Sequence, residues 1–281
     1  MPELQRSTGV RRRDLLKGLA AAGVGALTGA GAYGFLYERH HIEVTRATLA
    51  VSGLSDVLAG LRLGFITDFH RSETVPHRLV ERAVQLLVAE QPDLIILGGD
   101  YVTWGDREFV QPAADALAGL SAPAGVFAIL GNHDDDHDMP AALTARGFTV
   151  LRDARTQIRV RNTPLDLVGI RYWTRRVEDL SRLMRGASPN AILLAHTPTR
   201  LLEAASLAIP LVISGHTHGG QIVLPGLGPV AARRFPVIAG TGRRENTTIF
   251  VSRGVGTVYV PVRLNCPPEV AILTLEPINR S

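Results

Sequence analysis

From residue 42 onward the chain alternates short apolar runs with amphipathic stretches. Residues 42–51 alternate apolar and polar positions, which predicts a half-buried strand. Residues 61–67 form a second strand candidate, ending at Asp68. Over 76–90, Leu79, Val80, Ala83, Val84, Leu87 and Val88 fall at helical spacing, with Pro76 at the start. Residues 93–97 are a continuous apolar run before Gly98-Gly99-Asp100, the pattern of a strand buried on both faces. A helix over 113–120 and another buried strand over 126–130 follow, the strand stopping at Gly131. Residues 156–160 and 165–170 flank Arg161-Asn162 as a hairpin. Strands over 191–195 and 211–214 end at His196 and Gly215, and 222–224, 248–252 and 270–275 are further strand candidates. There is no internal repeat and no long linker, so 42–281 is expected to be one α/β domain of layered sheets with helices outside.

The start of the chain breaks this rhythm. Arg11-Arg12-Arg13-Asp14-Leu15-Leu16-Lys17 leads into an apolar run over 18–36 that holds six glycines. A cationic start before an apolar run is an export signal. The register Arg12-Arg13-x-Leu-Leu-Lys resembles a twin-arginine signal, with Arg11 where Ser or Thr is usual and Leu15 where Phe is common. Residues 1–36 are therefore expected to be a twin-arginine-type signal peptide or membrane anchor. Ala30-Gly31-Ala32 offers a cleavage site, yet the 19 apolar or small residues over 18–36 also just span a bilayer. The expected partner is the twin-arginine export machinery. The expected location lies beyond the cytoplasmic membrane: membrane-anchored, in the cell wall or in the periplasm. Gly29 to Gly34 spells G-x-G-x-x-G, but it follows no strand and reads as coincidence.

Composition changes this picture in three places. Hydrophobic residues make up 46% of the 281 and charged residues 20%, which excludes a disordered chain. Cys266 is the single cysteine and Lys17 the single lysine. Together they exclude a disulfide framework, a cysteine-cluster zinc fold and a lysine phosphate loop beyond residue 17. The formal net charge of +4 suggests a nucleic-acid partner. Residues 1–32, however, carry five basic residues against two acidic ones, so three of the four net charges belong to the leader. The rest is near neutral, and nucleic acid is not expected as a partner.

The chemistry gathers at the strand ends. Five apolar strands run into Asp68-Phe69-His70, Gly99-Asp100, Gly131-Asn132-His133-Asp134, His196, and Gly215-His216-Thr217-His218. Five of the nine histidines fall in these motifs. Ligand sites of open α/β sheets lie beyond the carboxyl ends of the strands, so the motifs can converge on one rim. Carboxylates, an amide and imidazoles, without thiolate, suit two ions of Mn, Fe or Zn. On extended backbone, Asp68 and His70 would face one side, as would His216 and His218. The glycines beside these motifs allow tight turns and close backbone approach. Two divalent ions against Asp68 and Asp100 leave a positive site, suited to a phosphoryl anion.

D-x-H, G-D, G-N-H-[DE], an isolated His and G-H-x-H, in this order, resemble the calcineurin-like metallophosphoesterases over about residues 61–275. Gly219-Gly220-Gln221, Ser252-Arg253-Gly254 and residues 263–269 look like the exported bacterial branch. The resemblance implies a four-layer α/β/β/α sandwich with the metal site at the C-terminal edge of the strands. It implies that Asp68, His70 and His218 hold one ion, that Asp100 bridges, and that Asn132, His196 and His216 hold the second. His133 would be the catalytic acid, and Asn132 and His133 would bind substrate. The implied activity is hydrolysis of phosphodiesters or phosphomonoesters by a metal-bound hydroxide, acting on an envelope lipid or cell-wall polymer. A pyrophosphohydrolase of a nucleotide-sugar lipid such as UDP-2,3-diacylglucosamine and a metal-dependent nuclease are the alternatives.

Other conspicuous residues have plainer readings. Asp134 is expected to orient His133, and 135–138 to be a solvated acidic loop. Arg71 is expected to be a solvated loop residue rather than a phosphate contact. His40, His41 and His77 are expected to be structural or exposed. Cys266 is expected to be small and buried rather than nucleophilic. Arg171-Tyr172-Trp173 could line a pocket or simply pack. Arg233-Arg234 and Arg243-Arg244 could contact an acidic polymer or lipid headgroups, but are expected to be ordinary solvated surface.

Overall fold

The computed structural model describes residues 11–278. Glu3 and Arg6 of the leader and the last three residues of the expected domain lie outside the described residues.

Two six-stranded sheets face each other. The first is built from β1 (Glu43–Val51), β2 (Leu61–Ile66), β3 (Leu94–Leu97), β4 (Val126–Ala128) and β5 (Thr149–Val150). The second holds β6 (Ala154–Val160), β7 (Thr163–Ile170), β8 (Ala191–Ala195) and β9 (Leu211–Ser214). A small hairpin, β10 (Val223–Leu224) and β11 (Gly228–Pro229), leaves the sandwich. Strands β12 (Gly240–Arg244) and β13 (Thr247–Val251) complete the second sheet, and β14 (Glu269–Pro277) returns to the first. The orders are β1-β14-β2-β3-β4-β5 and β12-β13-β9-β8-β7-β6. Strands β2 to β5 run parallel, as do β7, β8, β9 and β13.

The pleat explains why these strands are continuously apolar. Along β3, Leu94 and Ile96 point into the space between the sheets, where they meet Phe65, Leu167, Ile192, Leu194 and Ile213. Ile95 and Leu97 point outward, to Leu87 of α2 (His77–Ala89), Ala113 of α3 (Val110–Ala116) and Leu143 of α4 (Asp138–Ala145). Val168, Ile170, Leu193 and Val212 face outward on the second sheet, under Leu180 of α5 (Val177–Met184) and Ala204 of α6 (Leu201–Ser206). The result is the expected four-layer α/β/β/α sandwich. Each fully buried Leu or Ile contributes about 2 kcal/mol over an exposed one.

Several elements depart from expectation. The helix expected over 113–120 begins at Val110, because Asp106 accepts the Glu108 N–H and caps the turn that leads into it. Helices α4, α5 and α6 have no counterpart in the sequence reading. They are eight, eight and six residues long, too short for a helical period to stand out. The expected hairpin closes with both Arg161 and Asn162 at positive φ, the geometry that matches strand twist.

The N-terminal segment is a helix, α1 (Arg12–Leu36), that stands apart from the sandwich. Its 25 residues extend roughly 37 Å. Its length and composition suffice to cross a membrane. The G-x-G-x-x-G letters sit inside it and build no phosphate loop. Only its end touches the domain: Gly34 is buried against the main chain of Arg263, where a side chain would collide.

Candidate metal centre

The ends of β2, β3, β4, β8 and β9 bring every strand-end motif to one rim. Asp68, His70 and His218 offer three ligand atoms within 4.8 Å of one another, and Asp100, His196 and His216 form a second such group. Asp100 lies between them: its Oδ2 is 3.5 Å from His70 Nε2 and 3.1 Å from His196 Nε2. Asn132 borders the same cavity, and its buried Oδ1 has no hydrogen-bond partner among the described residues.

The backbone at these residues is not extended, contrary to the sequence expectation. Asp68, His70, Asp100, His216 and His218 have φ of 55°, 48°, 54°, 73° and 50°. Left-handed geometry at a non-glycine residue costs about 1–3 kcal/mol and persists only where surroundings enforce it. Here the enforcement is hydrogen bonding across loops. Asp68 N–H donates to Gly99 O at 2.9 Å and His70 N–H to Asp100 O at 3.0 Å. His216 N–H donates to the Asp68 carboxylate at 3.0 Å, and His133 N–H donates to Asp100 Oδ1 at 2.8 Å. Gly215 and Gly131 permit this closeness, since a Cβ on either would collide with the carboxylate of Asp68 or Asp100.

Asp134 does not orient His133. It clamps two loops instead, accepting N–H bonds from Asp100 at 2.8 Å, Tyr101 at 2.6 Å and Gly131 at 2.8 Å. His133 is set by Trp104, whose backbone N–H donates to its Nδ1 at 3.2 Å and whose ring lies 4.3 Å away. Trp104 carries no signal in the sequence, because it lies four residues beyond Asp100 in a stretch with no pattern of its own. Tyr172 stacks near His216 at 5.4 Å and Phe235 meets the same ring edge-on at 5.2 Å. Arg233 and Arg234 border the cavity, which corrects their reading as ordinary surface. Arg71 is neither solvated nor a phosphate contact. It donates to Ser72 O and Val75 O and stacks over Phe109, stapling its own loop.

The electrostatics suit cations. Burial drives the imidazoles of His70 and His216 down, to about 4 and about 3, and His218 well below its usual value. Three neutral imidazoles thus present lone pairs, and His70 Nε2 faces His218 Nε2 at only 3.0 Å. Two converging lone pairs repel unless a cation or proton sits between them. Burial opposes charge on His196, but Asp100 overrides it and raises the imidazole to about 10. Burial likewise opposes charge on Asp100, and His196 overrides it, holding the carboxyl below the usual range. His196 Nδ1 is pinned to Gly98 O at 2.8 Å, which turns Nε2 toward the cluster. These oxygen and imidazole donors, with the orphaned Asn132 Oδ1, fit two metal ions.

A model of the calcineurin-like phosphoesterase family matches residues 61–220, a stretch that contains all of these donors. The chain belongs to the calcineurin-like phosphoesterase family. It is 31% identical to the metallophosphoesterase YkuE of Bacillus subtilis, over 95% of this chain and 98% of that one. It is 32% identical to the phosphodiesterase YaeI of Escherichia coli, over 95% and 99%. A Danio rerio transmembrane protein with a metallophosphoesterase domain is 27% identical, over 87% of this chain and 60% of that one. Like its family, this calcineurin-like chain is a metal-dependent phosphoesterase with two candidate metal sites.

Proposed function

We propose that the chain hydrolyses phosphate esters outside the cytoplasmic membrane, with two ions of Mn, Fe or Zn held at this rim. The supporting observation is the pair of donor groups joined through Asp100. Asp68, His70 and His218 hold one ion; Asn132, His196 and His216 hold the other; Asp100 serves both. When bound, the ions supply Lewis-acid polarisation of the phosphoryl oxygens and offset their negative charge.

The protein's own part in the reaction centres on His133. Its Nδ1 accepts the Trp104 N–H, so in the neutral ring the proton resides on Nε2. Burial lowers its pKa and favours that neutral ring. Nε2–H therefore donates a hydrogen bond to the phosphate and stabilises the charge that develops on the leaving oxygen, while the ring keeps its proton. Asn132 and His133 both face the cavity and orient the ester there. The test is His133→Ala. The variant retains bound metal by elemental analysis, while turnover of bis(p-nitrophenyl) phosphate falls roughly 10²–10⁴-fold. Wild-type turnover in that variant would refute the assignment.

Residues 1–36 act in this reading as a twin-arginine-type export segment that stays in place as an anchor. The anchor reading is supported by a helix long and apolar enough to cross a membrane, whose end is held on the domain. Gly34 O accepts from Arg263 N–H at 3.3 Å, and buried Glu38 accepts from Cys266 N–H at 2.6 Å. Residues 42–281 then stand on the outer face of the membrane as the catalytic domain.

A further inference from the structure

The mouth of the metal cavity, of about 550 Å³, is rimmed by side chains that a water-facing surface does not need. Val230, Tyr259 and Val260 line it and are 56%, 80% and 48% exposed; Trp104, 67% exposed, adjoins Tyr259, and Leu227, 70% exposed, lies in the turn of the β10–β11 hairpin. They come from three segments: the loop after β3, the β10–β11 hairpin and the stretch 258–260. Trp104 and Tyr259 pack edge to face at 5.6 Å, joining two of these segments over His133. Contiguous exposed apolar surface around a polar site marks a contact surface.

What covers it is indicated by the segment 258–266. Its first residues form the lip of the cavity. Leu264 carries the hairpin: Val223 N–H donates to Leu264 O at 2.8 Å. Val262, Arg263 and Cys266 receive the end of α1 and the residues just after it. Arg263, fully buried, ties the strip down through bonds from its guanidinium to the carbonyls of Gly256, Cys266, Arg253 and Gly254 at 2.6–3.1 Å. The helix end and the cavity mouth are thus fixed on one platform. The helix end carries its own exposed aromatic set, Tyr33, Phe35 and Tyr37. Aromatic residues of this kind settle at the headgroup level of a bilayer. Arg233 and Arg234 line the cavity on the hairpin side and offer positive charge to anionic headgroups, whereas Glu73, Asp106 and Glu108 line a neighbouring cleft that shares Trp104, Tyr259 and Val260 and bound the patch on that side.

We propose that this rim docks on the lipid headgroup layer that α1 crosses, and that the phosphoester taken into the cavity is one carried by a membrane lipid. This rests on the anchored phosphoesterase reading above and adds the class of its substrate. Residues that open onto headgroups can receive a lipid phosphate without drawing the acyl chains out of the bilayer.

The chain has two tryptophans, which makes the docking measurable. Full-length Trp173→Phe is placed in vesicles of equimolar phosphatidylcholine and phosphatidylglycerol with brominated acyl chains. Trp104 fluorescence is expected to be quenched several-fold relative to unbrominated vesicles. Equal fluorescence in the two would overturn the docking. Adding Leu227→Glu and Tyr259→Glu is expected to remove the quenching while the chain still floats with the vesicles; unchanged quenching would equally overturn it. For the substrate class, the same vesicles are expected to raise the KM for bis(p-nitrophenyl) phosphate several-fold with kcat unchanged, because headgroups compete for the cavity. A KM indifferent to lipid would contradict a lipid-borne substrate. Failure to cleave the soluble diester with any metal would instead defeat the hydrolase reading, and the quenching result stands apart from it.

Discussion

Asp134 shows how much of this site depends on a residue that touches neither candidate ion. Its carboxylate gathers N–H groups from the loops after β3 and β4, and so sets the distance between Asp100 and Asn132. Burial and the nearby Asp100 push its carboxyl up, to about 7, against the pull of those donors. Asp134→Asn keeps the shape but supplies one acceptor oxygen where two now serve four donors, Val102 N–H being the fourth. We expect metal affinity to fall roughly 10–100-fold, read by competition with a chelating dye. Unchanged affinity would show that the loops hold themselves. The motif letters placed Asp134 near the site. The sequence did not reveal which neighbours it binds, because adjacency to His133 in the chain says nothing about which way a side chain turns.

At the scale of elements, the strand ends were legible and the loops were not. Strands β3, β8 and β9 follow from short apolar runs because both faces of each sheet are covered. The left-handed turns at Asp68 and His216 leave no such mark, since they arise from bonds between distant loops. The same holds for Arg263, an arginine in a coil segment that proves to be among the largest fully buried side chains of the described residues. Its guanidinium satisfies the carbonyls of the loop that backs Asp68, where Gly256 N–H reaches Asp68 O at 2.7 Å. Arg263→Met is expected to strand those carbonyls and to destabilise the fold by about 3 kcal/mol. For a domain of this size that lowers the melting temperature by roughly 6–12 °C, read by calorimetry. A melting temperature within error of wild type would mean that water replaces the guanidinium.

For the whole molecule, charge separates the N-terminal segment from the domain. Much of the net positive charge lies in residues 1–32, which lead into and along an apolar helix, whereas the candidate metal rim is built from carboxylates and imidazoles. Replacing Arg12 and Arg13 by Lys preserves charge and helix but alters the pair on which the export reading rests. We expect the Arg12→Lys, Arg13→Lys chain to accumulate inside the cell, read by fractionation. Normal export of that variant would remove the twin-arginine reading and leave the catalytic one untouched.

The central claim is that phosphate esters are cleaved through two ions joined by Asp100. Its most direct measurement is turnover of bis(p-nitrophenyl) phosphate by chelator-stripped chain reloaded with Mn, Fe or Zn, beside Asp100→Asn treated alike. Wild-type turnover should appear only with metal, and Asp100→Asn should lose metal and turnover together. Turnover that survives the chelator, or survives Asp100→Asn, would contradict it.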